Sequence, residues 1–158
     1  MKVLYAGSFD PITNGHLDII ERCSQKFDEV VVTVFNNVAK KYTFACEERL
    51  ELVKGAVKHL PNVTVDISSD MVAQYCRKND IKIVVRGLRA VSDYEYELNL
   101  SAYNKFLFEE LETVFMVASN EYSFISSSGV KEIAAYDEKF RELVPKNVVE
   151  PLRKKFGR

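Results

Sequence analysis

Residues 7–16 have the composition of an anion-binding turn. Two glycines and a proline let the backbone fold tightly, Ser8 offers a hydroxyl group, and His16 falls in the first turn of a predicted helix. Free backbone N–H groups and the positive end of the helix dipole favour phosphate there. The segment has neither a Walker A ending nor a GxGxxG pattern. His16 is either a structural residue of the helix start or a catalytic group, and its place in this turn favours catalysis.

Two pairs of cations also suit phosphate oxygens. Lys40 and Lys41 lie in a polar segment. Two interpretations are open: one of the two lysines contacts a ligand, or both are solvated. Arg86 and Arg89 follow an apolar run, and arginine in such a place needs an anionic partner. That partner is a ligand, an acidic side chain of the next helix, or both. The acidic candidates are Asp93, Glu95 and Glu97.

Two other groups of residues have a structural and a functional interpretation. The serines at 126–128 open a predicted helix with Lys131 one turn in, so they either cap that helix or bind phosphate oxygens. Three tyrosines recur at helical spacing, and we interpret them as core or subunit contacts rather than as a stacking platform. They are Tyr94, Tyr96 and Tyr103.

Strand and helix patterns alternate along the chain and place these residues. Short β-branched runs predict strands at residues 2–6, 29–35, 63–67, 81–85 and 113–117. Helical spacing predicts helices at residues 14–26, 46–60, 71–78, 93–109, 127–136 and 148–156. The inward face predicted for the second helix is Leu50, Val53, Val57 and Leu60. This alternation indicates an α/β fold with a doubly wound, five-stranded parallel sheet, whose ligands bind at the carboxyl ends of the strands.

Composition narrows the class of protein. The 158 residues suit a single domain, and 47% hydrophobic and 28% charged residues are ordinary for a globular protein. A net charge of −1 argues against a nucleic-acid partner, and the apolar runs are too short for a membrane span. We expect no targeting peptide. Three separate cysteines, Cys23, Cys46 and Cys76, are expected to be reduced thiols buried on helices.

The motifs together resemble the nucleotidyltransferase superfamily, a relative of the class I aminoacyl-tRNA synthetases. Residues 13–16 are similar to its T/HxGH motif, and residues 125–131 are similar to its ISSxxR/K motif. Within the superfamily, the chain most resembles the bacterial phosphopantetheine adenylyltransferases. Four collinear segments carry this resemblance, at residues 7–16, 86–90, 93–97 and 123–128. The resemblance implies a Rossmann-like nucleotidyltransferase fold over a single domain of residues 1–158.

Two positions depart from the family pattern. Ala45 stands where threonine usually precedes the Glu-Glu-Arg of the second helix, so an N-cap hydroxyl is missing unless Thr43 replaces it. Tyr122 stands where tryptophan often precedes the Ser-Phe-Ile-Ser-Ser run, and an aromatic contact is retained. Neither change touches a residue expected to handle phosphate.

The resemblance implies a reaction in coenzyme A biosynthesis, its penultimate step. The adenylyl group of ATP passes to 4′-phosphopantetheine, which gives dephospho-coenzyme A and pyrophosphate. The attacking phosphate oxygen is already anionic, so neither a general base nor a covalent intermediate is required. Mg²⁺ is expected on the ATP phosphates, with no metal ligand from the protein. The family also implies a cytoplasmic homohexamer in which coenzyme A competes at the active site as a feedback inhibitor.

The resemblance further assigns roles to individual residues. His16 is expected to stabilise the transition state, with Ser8, Lys40 and Arg89 as the other catalytic residues. The expected ATP-binding residues are Ser8, Phe9, His16, Gly87, Leu88, Arg89, Glu97, Tyr122, Ser123, Phe124, Ile125, Ser126, Ser127 and Ser128. The expected phosphopantetheine-binding residues are Ser8, Lys40, Val72, Arg86, Leu100 and Asn104.

Two alternative functions remain open at this point. A transferase of the same superfamily that acts on nicotinamide mononucleotide or glycerol 3-phosphate would share residues 7–16, although residues 86–89 and 93–97 favour phosphopantetheine. A non-catalytic nucleotide-sensing module on a flavodoxin-like fold would need the helix starts alone. It would not need the four candidate side chains His16, Lys40, Arg86 and Arg89 together.

Overall fold

Five strands carry the apolar runs of the sequence and form one sheet. In the computed structural model, which describes residues 1–157, they are β1 Lys2–Gly7, β2 Glu29–Phe35, β3 Val63–Ser68, β4 Ile83–Leu88 and β5 Glu112–Val117. Arg158, the last residue of the expected domain, lies outside the described residues. Every pair of neighbouring strands is parallel, in the order β3-β2-β1-β4-β5. The predicted five-stranded parallel sheet is confirmed.

Helices cover both faces of this sheet. They are α1 Asn14–Lys26, α2 Cys46–Val57, α3 Val72–Lys78, α4 Val91–Leu107, α5 Ser127–Ala134 and α6 Lys146–Lys155, with short 3₁₀ turns at Asn120–Tyr122 and Glu138–Glu142. Alternate β1 residues point to opposite faces. Val3 and Tyr5 join the larger apolar cluster, with α1, α2, α5 and α6, whereas Leu4 and Ala6 join the cluster below α3. The sheet is therefore doubly wound, as predicted.

Two element boundaries differ from the sequence prediction and bear on the site. β4 spans residues 83–88 rather than 81–85, because Arg86 and Gly87 pair with Phe115 and Met116 of β5. Arg86 therefore lies within a strand and not after it. α2 ends at Val57 rather than at residue 60, so it stops short of Pro61. Its buried face was predicted in part: Val53 and Val57 are buried as expected, whereas Leu50 and Leu60 are half-buried and Arg49, Leu52 and Ala56 complete the face.

The sheet parts between β1 and β4 toward the carboxyl ends of these strands. β1 pairs with β2 from Lys2 to Gly7, but with β4 over two positions, Leu4 with Val84 and Tyr5 with Val85. Beyond them, the Arg86 side chain takes the place of the backbone ladder, since its Nη1 donates to the Ala6 carbonyl at 2.7 Å. This parting is the kind of crevice in which open parallel sheets bind ligands.

Helix α4 has an unusual distribution of polar and apolar side chains. Its buried residues are Glu97 and Asn104, whereas large apolar side chains are exposed along it. The exposed side chains include Tyr94, Tyr96, Leu98, Tyr103 and Phe106, the last at 86%. The core interpretation of the tyrosines is therefore wrong, and a contact with another subunit remains as a prediction. No helix within residues 1–157 is both long and apolar enough to span a membrane.

The start of α2 lacks a side-chain cap, which leads to a stability prediction. Ala45 is the N-cap residue, and Thr43 does not replace its hydroxyl because Thr43 Oγ1 lies against Lys131 Nζ at 3.3 Å. Ala45→Ser adds the missing acceptor, so we expect a free energy of unfolding higher by about 1 kcal/mol. Urea unfolding measures this free energy. The control is Ala102→Ser in the middle of α4, where a serine hydroxyl cannot cap the start of a helix. An unchanged midpoint in Ala45→Ser would contradict the prediction.

Candidate active site

A cavity of about 250 Å³ opens where β1 and β4 part. Its walls come from the β1–α1 turn, the end of β4, the first turns of α4 and the segment before α5. The polar and charged residues that line it are Tyr5, Ser8, Thr13, His16, Arg86, Arg89, Asp93, Glu97, Tyr122, Ser126 and Ser127. Small or apolar residues complete the wall, namely Ala6, Gly7, Gly15, Ile19, Gly87, Ala118 and Ile125.

The start of α1 fixes the orientation of the His16 ring. Thr13 is the N-cap residue, and its hydroxyl accepts the His16 backbone N–H at 3.3 Å. In return, the Thr13 backbone N–H donates to His16 Nδ1 at 3.0 Å, which completes a capping box. Because Nδ1 accepts this bond, the proton of the neutral ring lies on Nε2. The capping pair therefore presents Nε2–H as a donor in a wall of the cavity.

His16 is neutral near pH 7. Burial, together with the positive charges of Arg89 and Arg86, lowers the pKa of His16 from its usual value near 6.5 to about 4, and burial is the largest of these causes. A neutral imidazole with Nε2–H can donate a hydrogen bond to a developing negative charge, but it cannot accept a proton through that nitrogen. The geometry suits stabilisation of charge and not general-base chemistry.

The protonation state of His16 is directly measurable. We expect a ¹⁵N-edited NMR titration to show the Nε2–H tautomer at pH 7 and a midpoint near pH 4. Because the unfolded chain binds this proton near pH 6.5, the stability due to neutral His16 is present at pH 7 and is lost as the pH falls to 4. Urea unfolding of His16→Asn should lack that part of the pH dependence. A midpoint at or above 6.5 would contradict the assignment.

The backbone before α1 is shaped by Phe9. Phe9 has a positive φ of 49° and is 2% exposed, and its ring packs edge-on against His16 at 5.0 Å between centroids. A Cβ atom on Gly7 would approach this ring to 3.0 Å, so the turn needs glycine there. The Phe9 side chain thus packs against His16 and does not line the cavity, although the resemblance predicts an ATP contact for it.

Each arginine of the cavity already has a carboxylate partner on α4. Arg86 Nε and Nη2 donate to Glu97 at 2.8 and 2.7 Å, and Glu97 is 7% exposed. Arg89 pairs with Asp93 at 3.2 Å and also donates to the Ile125 carbonyl at 2.9 Å. The acidic-partner interpretation is therefore correct for both arginines. It does not exclude a ligand, because Arg86 uses three of the five N–H donors that a guanidinium carries.

The serines at the start of α5 have structural bonds of their own. Ser126 is the N-cap residue, and its hydroxyl accepts the Gly129 N–H at 3.0 Å. The Ser127 hydroxyl donates to the Pro11 carbonyl at 2.8 Å, which joins this helix start to the β1–α1 turn. Ser126 and Ser127 both line the cavity, so the start of α5 borders the same space as His16.

Asp10 and Lys131 tie the loops together outside the cavity. Asp10 is buried and accepts the backbone N–H groups of Thr43 and Phe44, both at 2.9 Å. Lys131 Nζ lies 3.2 Å from the Asp10 carboxylate. The lysine of the second motif is thus an internal counter-charge for the turn after β1, and it does not line the cavity.

Several expected site residues lie away from this cavity. Lys40 is exposed on the loop between β2 and α2. Val72 lies on α3, and Leu100 and Asn104 lie on α4, beyond the turns that carry Asp93 and Glu97. The expected residues outside the cavity wall are Phe9, Lys40, Val72, Leu88, Leu100, Asn104, Ser123, Phe124 and Ser128. The cavity wall therefore contains part of each expected set, and Ser8 and Arg86 are the expected phosphopantetheine-binding residues that line it.

The acidic residues of the site do not form a metal cage. Within residues 1–157, no group of three or more His, Cys, Asp or Glu side chains is placed to hold a metal ion. The carboxylates that line the cavity, Asp93 and Glu97, are each engaged by arginine. A divalent ion bound here would take its oxygen ligands mainly from the phosphates of a nucleotide.

Some residues of the site were not assigned a role from the sequence. Thr13 was seen as part of a motif, but its control of the His16 tautomer was not; the Thr-x-x-His spacing of a capping box was the available signal. Asp93 was named only as a partner for arginine, yet it lines the cavity. Arg49, buried beneath the turn after β1, was missed altogether, since a charged residue in an amphipathic helix is ordinarily assigned to the exposed face.

Together, the parallel sheet and the cavity at the carboxyl ends of β1 and β4 define an α/β protein of the open-sheet class, in which ligands bind at such a crevice. The chain belongs to the cytidylyltransferase-like family of the nucleotidyltransferase superfamily, whose pattern matches residues 4–133. That match contains both the β1–α1 turn and the start of α5.

Solved structures with the same fold come from Francisella tularensis. One is a bifunctional NMN adenylyltransferase/ADP ribose pyrophosphatase, with 16% identity and a TM-score of 0.68 over 97% of this chain and 49% of that chain. The other is the same kind of protein complexed with AMP and a Mn ion, with 15% identity and a TM-score of 0.65 over 98% and 51%. The chain thus spans about half the length of these proteins. At such identity, the likeness shows the nucleotidyltransferase-like fold.

Proposed function

We propose that this protein transfers the adenylyl group of ATP to 4′-phosphopantetheine, which gives dephospho-coenzyme A and pyrophosphate. The observation that carries the proposal is the convergence of a neutral His16 donor, two arginines and two helix starts on one cavity. The resemblance of residues 86–90 and 93–97 to the phosphopantetheine adenylyltransferases supports this acceptor. Adenylyl transfer in general rests on family membership and on the cavity.

In the proposed reaction, a phosphate oxygen of the acceptor attacks the α-phosphorus of ATP. The new P–O bond forms as the bond between the α-phosphorus and the β-bridging oxygen breaks, and pyrophosphate leaves with the electron pair. No proton needs to move, because the nucleophile is an anion near pH 7. The protein has to align two anions and stabilise charge on the α-phosphate and the leaving group.

The position of each residue in the site suggests which phosphate group it would bind. His16 Nε2–H and the Ser8 backbone and hydroxyl would donate to the α-phosphate. Arg89 and the N–H groups at the start of α5 would hold the β- and γ-phosphates. Arg86, with two donors left, would hold the acceptor phosphate. Lys40 would reach the same phosphate from its loop once the ligand is bound, which reduces the repulsion between the two substrates.

The metal and the cellular setting are carried over from the resemblance. Mg²⁺ would enter on the ATP phosphates and draw charge from the leaving pyrophosphate. The arm of phosphopantetheine would run over α3 and α4, past Val72, Leu100 and Asn104. Coenzyme A would compete for this space as a feedback inhibitor, in the cytoplasm.

An acceptor panel tests the proposed function. Pyrophosphate release is followed with ATP and, separately, 4′-phosphopantetheine, nicotinamide mononucleotide and glycerol 3-phosphate. We expect turnover with the first acceptor and a value of kcat/KM at least 100-fold lower with the others. A preference for nicotinamide mononucleotide would replace the acceptor and keep the mechanism. ATP binding without turnover of any acceptor would favour the nucleotide-sensing alternative.

We further propose a homohexamer, as the resemblance implies. α4 packs against the edge strand β5, where Tyr94 contacts Phe115, and Val117 on the same face of that strand is also exposed. An apolar area of this kind is typical of a contact with another subunit. A second copy of this chain is the proposed occupant.

Sedimentation velocity tests this assembly. We expect wild-type protein to sediment as a hexamer at micromolar concentration, and Phe106→Asp to shift toward smaller species, because it buries a charge in the proposed contact. Val38→Asp, at an equally exposed residue on the β2–α2 loop, is the control and should leave the distribution unchanged. A monomeric wild-type protein would refute the proposed hexamer.

A further inference from the structure

The guanidinium of Arg49 is buried without a carboxylate partner. Arg49 is 0% exposed and is among the largest fully buried side chains of residues 1–157. None of the ion pairs among the described residues includes it, although buried charges are ordinarily paired. Its position in α2, one turn after the start of the helix, places it beneath the turn after β1 and the end of β2.

Neutral acceptors from three separate segments surround Arg49. Nε donates to the Phe44 carbonyl at 3.2 Å, and Nη1 donates to the Ser8 carbonyl at 2.9 Å. Nη1 also reaches the Phe35 carbonyl at 3.5 Å, and Nη2 donates to Asn36 Oδ1. One side chain thus joins the turn that carries Ser8, the carboxyl end of β2 and the entry to α2.

The same guanidinium holds both ends of the loop that carries Lys40. Asn36 bonds to it at the start of the loop, and the Tyr42 ring covers it at the end, with 3.8 Å between Cζ and the ring centroid. The Tyr42 hydroxyl accepts the Asn37 N–H at 2.9 Å, which draws the two ends together. Residues 38–41 lie between these anchors and are exposed.

We infer that Arg49 is a positioning residue. It fixes the positions of loop 36–42 and of the Ser8 carbonyl relative to the cavity. Arg49 is not part of the cavity wall, and in this inference it acts through Ser8 and Lys40. The role of Lys40 rests on the proposed function, whereas the anchoring of the loop does not. A lysine at this position would keep the charge but could not join four acceptors and an aromatic face at once.

Limited proteolysis tests the anchoring without reference to activity. A protease needs a segment of backbone that can adopt an extended conformation, and release of the loop ends would provide one. We therefore expect cleavage after Lys40 or Lys41 to be at least tenfold faster in Arg49→Met than in the wild type, as measured by mass spectrometry. Tyr42→Leu removes the covering ring and leaves the buried charge, and it decides the question if Arg49→Met does not fold. Arg77→Met is the control, because Arg77 also faces an aromatic ring, Phe108, but far from the loop.

A double-mutant cycle tests the link to Lys40. Arg49→Lys is combined with Lys40→Ala, and the KM for 4′-phosphopantetheine is measured for each variant. We expect Arg49→Lys to raise this KM about tenfold in the wild-type background and less than twofold in the Lys40→Ala background. A residue that merely supports the fold would give the same factor in both backgrounds.

The outcomes separate the two proposals. Faster cleavage together with a KM effect that depends on Lys40 supports the inference. Unchanged cleavage in both Arg49→Met and Tyr42→Leu, a wild-type KM in Arg49→Lys, or a KM effect independent of Lys40 overturns it. If the wild-type protein transfers nothing to phosphopantetheine, the proposed function fails, and the cleavage rates alone decide whether Arg49 anchors the loop.

Discussion

His16→Ala is expected to lower kcat for adenylyl transfer by about 100- to 1,000-fold, with little change in the KM for ATP. That range is typical for the loss of one preorganised donor to a developing negative charge. The His16 Nε2–H is such a donor, because the Thr13 N–H occupies Nδ1 and the low pKa keeps the ring neutral. Charge grows on the α-phosphate only in the transition state, so the loss appears in kcat.

The fold should persist in this variant. Removal of the ring leaves the Thr13 N–H without its acceptor, at a cost of about 1 kcal/mol, which a thermal melt would detect as a small decrease in Tm. His59→Ala is the matched control, because His59 is exposed and bonded to Glu21 at 2.9 Å, away from the cavity. A kcat within threefold of wild type in His16→Ala would refute the transition-state role.

Arg86→Ala is expected to raise the KM for 4′-phosphopantetheine by about 10- to 100-fold. A hydrogen bond to a charged group contributes roughly 1.5 to 3 kcal/mol, and Arg86 has two donors left to supply such bonds. Steady-state kinetics with each substrate varied in turn measures the effect. A dominant increase in the KM for ATP would mean that the roles of Arg86 and Arg89 are exchanged.

The control for this variant concerns Glu97. Arg86→Ala leaves a carboxylate that is 7% exposed without its partner, so part of the effect arises from an unpaired buried charge. Glu97→Gln in the Arg86→Ala background removes that charge, and the KM effect that remains is due to the lost phosphate contact. If the double variant regained the wild-type KM, Arg86 would act on Glu97 and not on the ligand.

Much of the fold follows from patterns in the sequence. Runs of β-branched residues such as 29–35 are buried on both sides, and this continuous apolarity distinguishes a parallel sheet from an antiparallel one. The turn after β1 also follows, because glycine, proline and a helix start have local physical meanings. The cavity brings together residues 8, 16, 86, 89 and 126, as expected for loops at one edge of a parallel sheet.

Other features depend on tertiary contacts that no local pattern encodes. Arg86 reads as a residue after a strand, yet the sheet continues through it because β5 offers a partner. Arg49 reads as a solvated charge, yet carbonyls from distant segments surround it. In α4, the buried Glu97 follows from its pairing with Arg86, and the exposed tyrosines run against the usual distribution of polarity.

The short pairing between β1 and β4, called the seam here, affects which part of the sheet opens most readily. Strands β3, β2 and β1, within residues 2–68, form one half of the sheet, and β4 and β5 form the other. The two halves are joined by two paired positions and by the bond from Arg86 to the Ala6 carbonyl. Separation of the sheet between β1 and β4 therefore breaks fewer backbone hydrogen bonds than separation between other strands. The amide hydrogens of this seam should exchange through such partial opening. A nucleotide that contacts both halves would stabilise the closed sheet. It would therefore slow hydrogen exchange at the seam more than in the outer strands.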